Sequence, residues 1–64
     1  MNEELYKYQC AVRQLLWYRH HWGLKEFRAW CLMPIHYNFW LKYQDDFIIQ
    51  WRLGNRGDAN HWVG

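Results

Sequence analysis

Apolar positions return along this chain with two different periods. In the first half they recur every three or four residues, and Leu5, Tyr8, Val12, Leu15, Leu16 and Trp22 form one stripe, as an amphipathic helix requires. Asn2 offers a capping side chain before the stripe, and Glu3 and Glu4 place acids at the positive end of the helix dipole. His20 and His21 fill the last turn, and Gly23 is a natural terminator. The pattern predicts a helix over residues 2–22. A second, shorter helix is expected over residues 24–33, because Leu24, Phe27, Trp30 and Cys31 share a face while Lys25, Glu26 and Arg28 point away. Pro34 stops it.

Beyond Pro34 the period shifts to two. Ile35, Tyr37, Phe39, Leu41 and Tyr43 alternate with polar neighbours, and Phe47, Ile49, Trp51 and Leu53 continue the alternation after Gln44-Asp45-Asp46. These residues are aromatic or β-branched, and the polar triplet has hairpin-loop length. Strands are therefore expected over about 35–43 and 47–53, with a short third over 61–63 after the loop "GNRGDAN". One helix through the same stretch is the competing reading; it would gather Tyr37, Trp40, Gln44, Phe47, Ile48 and Trp51 on one face. The expected fold is a single α+β domain, two N-terminal helices packed on a small antiparallel β-hairpin or three-stranded meander, with an all-α three-helix domain as the alternative.

Composition explains how so short a chain holds a core. A domain of this length buries only about 60% of its unfolded surface, but six Trp, five Tyr and three Phe each bring about 150–250 Å² of area. Not all can be inside, and exposed aromatic surface points to a contact site. The chain has no Ser and no Thr, which removes the usual hydroxyl nucleophiles, the N-glycosylation sequon and Ser/Thr phosphorylation. Two cysteines make no secreted disulfide framework, no leader pattern is visible, and no apolar run approaches the ~18–20 residues of a membrane span. A cytoplasmic protein with no membrane partner is expected. The net charge of +2 is too mild to announce nucleic acid.

Candidate chemistry is sparse. Cys10, His20, His21, Cys31 and His36 lack the close ligand pair of a zinc module, so neither metal nor cofactor is expected. No nucleophile, base and orienting group are specified together, and a carboxylate pair at Asp45 and Asp46 reads as solvated loop; the chain is not read as an enzyme. Arg56-Gly57-Asp58 spells the integrin-binding tripeptide but is ordinary turn chemistry. Residues 23–43 are similar in layout to a helix-turn-helix, with Leu24 to Cys31 as supporting helix, Ala29 as its small residue and Ile35 to Tyr43 as recognition helix. Met33 and Pro34 replace the usual turn Gly, and base-reading side chains are few.

The strongest signal is a second stripe on the first helix, Tyr6, Cys10, Arg13 and Trp17, since aromatic residues with Arg compose binding hot spots. Trp40, which interrupts the polar face of the first expected strand, and Arg52, expected near it across the hairpin, join the candidate surface. Tyr6, Arg13, Trp17, Trp40 and Arg52 are thus the expected binding residues of a small non-catalytic protein that occupies a surface on a larger protein. It would act as an inhibitor or adaptor of the kind that viruses and phages encode. A homodimer through the same face is possible on this pattern. The rival class is a nucleic-acid-binding module in which aromatics stack bases while Arg13, Arg19, Lys25 and Arg28 track phosphates.

Overall fold

The computed structural model describes residues 3–58; the expected cap at Asn2 and the expected strand over 61–63 lie outside the described residues. The described residues are all-α, with α1 (Glu3–Trp22), α2 (Leu24–Leu32) and α3 (Pro34–Arg52) packed pairwise against one another. The α+β expectation is therefore corrected to the three-helix alternative. Residues 35–43 and 47–53 form no strands, and Gln44-Asp45-Asp46 lies inside one continuous helix.

The reason lies in which side chains the core takes. Strand alternation would enclose Ile35, Tyr37, Leu41, Ile49 and Leu53, yet these are 79%, 43%, 46%, 54% and 51% exposed. The positions that turn inward are His36, Phe39, Trp40, Tyr43, Gln44, Asp46, Phe47, Gln50 and Trp51, which fall on one side of a helix. Phe39, Tyr43, Phe47 and Trp51 are four residues apart and satisfy both periods, so the alternation was real but not diagnostic. A single helix also satisfies its own backbone hydrogen bonds, whereas an isolated two-stranded hairpin is marginal in water.

Short connections hold the helices in place. Gly23 adopts φ 85° between α1 and α2, a left-handed conformation that disfavours residues with a Cβ. Its N–H donates to Arg19 O at 3.2 Å and its carbonyl accepts from Phe27 N at 3.1 Å. Met33 alone joins α2 to α3. Its extended backbone (φ −64°, ψ 135°) is what a residue before proline prefers. Pro34 takes the first helical position of α3, where its missing N–H costs nothing. The proline thus ends one helix and starts the next.

The core consists of Val12, Leu15 and Leu16 from α1, Phe27 and Cys31 from α2, and Phe47 from α3. Tyr8, Tyr18, Trp30, Phe39, Trp40, Tyr43 and Trp51 close around it, half-buried. Leu5 and Trp22, at the two ends of the α1 stripe, stay exposed. A polar link ties α1 to α3: the Tyr8 hydroxyl donates to Asp46 Oδ2, and the Tyr8 ring meets Tyr43 edge-on at 4.8 Å. The hydrogen bond to Asp46, then desolvation, then the Asp46 charge push the Tyr8 phenol up from 10.0 to about 12. The folded state therefore keeps a proton that the unfolded chain releases first. Its contribution to stability is fully present below about pH 10 and is lost as pH rises through about 12. A phenolate absorbance titration should show a step near pH 12 that Tyr8→Phe removes. An unchanged high-pH step would show that the Tyr8 bond to Asp46 does not form.

Candidate functional site

Where α1 ends against the two shorter-range partners, the fold leaves a groove. Its floor is Phe27 and Cys31 from α2 with Phe47 from α3, and its walls are Leu24 and Leu32 on one side and Trp40 on the other. Arg19 of α1 and Arg28 of α2 stand on the rim, around a hollow of 330 Å³. Each position follows from helix geometry. Leu24, Arg28 and Leu32 are four residues apart and share the outer flank of α2, while Phe27 and Cys31 occupy its inner face. Trp40 and Phe47, two turns apart on α3, face Phe27 with ring centroids at 5.7 and 5.1 Å.

The apolar flank extends along α3. At about 100° per residue, Tyr37, Leu41 and Ile48 follow one stripe adjacent to the side that carries Trp40, and all three are exposed. Leu24 and Leu32 are 54% and 59% exposed. A continuous apolar surface of this kind on so small a protein marks an interaction site.

Charge in the groove has one sign. Among the described residues its lining carries two guanidinium groups and no carboxylate. Arg19 also reaches over the Trp51 ring, its Cζ 4.8 Å from the centroid, a cation–π contact that fixes its direction. Burial pushes the Cys31 thiol on the floor up to about 11, so it stays protonated and unreactive at neutral pH. Cys10 is exposed. A disulfide-exchange reagent at neutral pH should therefore titrate one thiol in the folded protein and a second only in denaturant; two fast thiols in the native state would contradict the burial of Cys31.

The structure distributes the sequence-derived binding residues over three places. Tyr6, Arg13 and Trp17 lie on one face of α1, where Arg13 and Trp17 line a shallow hollow of 220 Å³ with Cys10, Gln14, Tyr18 and Gly57. Part of that face is covered by the chain itself. Arg13 donates from Nε to Gly57 O at 3.1 Å, and Gly57 rests directly on the backbone of Trp17. Tyr6 and the Trp17 ring remain exposed, the latter packed on His21 at 4.1 Å. Trp40 belongs to the α2–α3 groove. Arg52 is exposed in the last turn of α3; twelve residues of helix separate it from Trp40, a rise of about 18 Å, which corrects the expectation that a hairpin would bring them together.

The loop after α3 is fastened just as firmly. Asn55 is buried, donating from Nδ2 to Gln50 Oε1 at 3.0 Å and accepting from Gly57 N at 2.9 Å. Arg56 lies flat on Trp51, its Cζ 3.6 Å from the ring centroid, and donates to Trp51 O at 2.7 Å. Arg56 and Gly57 are thus engaged internally, and of that tripeptide only Asp58 is exposed. Among the described residues, no three His, Cys, Asp or Glu side chains group as metal ligands, and no helix is long and apolar enough to cross a membrane.

Leu24 and Leu32, central to the groove, were not among the sequence-derived binding residues; Leu24 was read as core. The available signal was the i, i+4, i+8 repeat of Leu24, Arg28 and Leu32 on a helix of nine residues, too short to bury two flanks at once. Comparisons of the chain with protein-family models, with curated proteins and with solved structures return no match.

Proposed function

We propose that this chain is a small non-catalytic binding protein, an inhibitor or adaptor acting in the cytoplasm, that occupies a surface on a larger protein. The α2–α3 groove is the contact, and its occupant is an amphipathic helical segment of the partner with carboxylates beside its apolar face. The observation that carries this reading is the groove itself, an apolar floor and walls with guanidinium groups as the only charges among its described lining residues. An apolar trough between helices is the geometry that receives a partner helix, whose apolar residues recur at the same i, i+4 spacing. Trp40 and the Arg pair supply the residue types that dominate binding energy.

Two observations favour a protein partner over nucleic acid. Arg13, assigned to phosphates in the rival reading, is directed at Gly57 O. The outward side of Ile35 to Tyr43, which a helix-turn-helix would use for base reading, carries exposed Ile35, Tyr37 and Leu41 beside Asn38 and Lys42, so apolar and aromatic side chains outnumber the usual base-edge readers.

Photo-crosslinking tests the reading. A photoreactive residue replacing Leu32 should capture a partner protein in lysate of the source cell, while the same residue at the exposed Lys7 of α1 should not. Arg28→Glu and Leu24→Asp, both at exposed positions, should each reduce capture at least tenfold in folded protein. Capture from position 7 alone, or only of oligonucleotide in a strongly salt-dependent manner, would refute the groove as the contact.

A further inference from the structure

The groove between α2 and α3 also has the makings of a site for a small amphiphile. Its hollow of 330 Å³ lies at the small end of the ~300–1,000 Å³ typical of ligand sites. Phe27, Trp40 and Phe47 line it together, with centroid distances of 5.7 Å for Phe27–Trp40, 5.1 Å for Phe27–Phe47 and 5.6 Å for Trp40–Phe47. Each ring packs on the other two, which holds this aromatic surface in one arrangement. Across from Trp40, Leu24 and Leu32 mark a length of about two helical turns, roughly 12 Å, and both are exposed.

The charges beside this trough suit an anion. Among the described residues neither Arg19 nor Arg28 forms an ion pair, and the groove lining they belong to holds no carboxylate. Arg19 is given its direction by the Trp51 ring, and Arg28 is exposed. A guanidinium is weakly hydrated, and its planar fork matches a carboxylate through two parallel hydrogen bonds. An apolar chain that ends in a carboxylate therefore offers the groove the same two things as an acidic amphipathic helix, in a single small molecule. We propose that the α2–α3 groove binds a medium-chain fatty carboxylate, which thereby competes with the partner helix for the same floor and the same guanidinium groups. The competition rests on the function proposed above; the binding of the carboxylate does not.

Nitrogen–proton spectra of the full chain test the binding without any partner. Decanoate, kept below its aggregation concentration, should shift the indole Nε1–H signal of Trp40 saturably and leave that of Trp17, which lines a separate hollow on α1, in place. From hexanoate to decanoate the affinity should rise about three- to fourfold per added CH₂. Decanol and decyltrimethylammonium keep the chain and change the head, and each should bind about tenfold more weakly. Arg28→Gln should weaken decanoate about tenfold and leave decanol unchanged, while Leu24→Asp, also at an exposed position, should weaken both with the dispersion of the remaining signals kept. Decanoate at saturation should also suppress photo-capture through position 32. Decanoate binding without any capture supports the site and refutes the partner helix alone, whereas capture that saturating decanoate leaves undiminished overturns the competition. Equal binding of decanol or decyltrimethylammonium, or the lack of a saturable Trp40 shift, overturns the site itself.

Discussion

Phe27→Ala should leave this protein largely unfolded at room temperature. The side chain is 3% exposed and stands between Phe47 at 5.1 Å and Trp40 at 5.7 Å, so it joins α2 to α3 and also forms the groove floor. Truncating a buried Phe to Ala costs about 3–5 kcal/mol. A domain of this length has about 3–10 kcal/mol in total, at ~0.05–0.15 kcal/mol per residue. Removal of this ring therefore takes most of what is available, because a core of six buried apolar side chains among the described residues offers few other contacts to absorb the cavity. Urea unfolding followed by near-ultraviolet circular dichroism measures it. A cost below about 1 kcal/mol, the range of a surface change, would show that Phe27 is not where the helices meet.

Gly57→Ala should be the second most damaging substitution, although it lies outside every helix. Gly57 has φ 83°, and a Cβ there would come within 2.6 Å of Trp17 N, 2.7 Å of Trp17 Cβ and 2.8 Å of Trp17 Cα. Those atoms belong to the α1 backbone or are fixed to it and cannot rotate aside. Left-handed backbone costs about 1–2 kcal/mol for a residue with a Cβ, and overpacking adds about 1–3 kcal/mol. The loop can escape only by lifting, which breaks the Arg13 Nε to Gly57 O bond and the Gly57 N to Asn55 Oδ1 bond. Gly54→Ala is the internal control. Its φ of 95° is equally unfavourable, but a Cβ at that position meets nothing within 4 Å. The two substitutions should differ by about 1–3 kcal/mol, all of it due to the seat on Trp17. Equal effects would mean that the loop does not rest on α1.

The contrast between the two halves of the chain shows what the sequence could carry. In α1, Val12, Leu15 and Leu16 repeat at spacings of three and four that only a helix satisfies, and all three are fully buried. In α3 the large aromatics Phe39, Tyr43, Phe47 and Trp51 fall at spacings of four, which suit a helix and a strand alike. Trp40 was the discriminating residue, since it sits on the core side of a helix and on the polar side of a strand. Polar residues obscured the helical face further. Gln50 is 3% exposed because Asn55 satisfies its amide, and Asp46 faces α1 because Tyr8 donates to it from 38 residues away. Neither partnership leaves a trace in local pattern.

The candidate site divides in the same way. Trp40 stood out as an aromatic residue at a polar position, and it does wall the groove. Arg13 and Trp17 were equally conspicuous, yet the guanidinium is directed at a loop 44 residues later. A hot-spot composition identifies residues able to bind, and only tertiary structure shows whether the chain binds them itself. The groove became legible once α2 was seen to be a helix of nine residues with one flank buried and the other, Leu24, Arg28 and Leu32, left outside.

Continuity of α3 underlies the groove, since it brings Trp40 and Phe47 against Phe27. The most direct test is a solution spectrum that combines backbone carbon shifts over residues 35–51 with nuclear Overhauser contacts from the Phe27 ring. One unbroken run of helical shifts through Gln44-Asp45-Asp46, with Phe27 touching both Trp40 and Phe47, is the expected result. Extended shifts on either side of that triplet, with cross-strand contacts between residues 35–43 and 47–53, would contradict it.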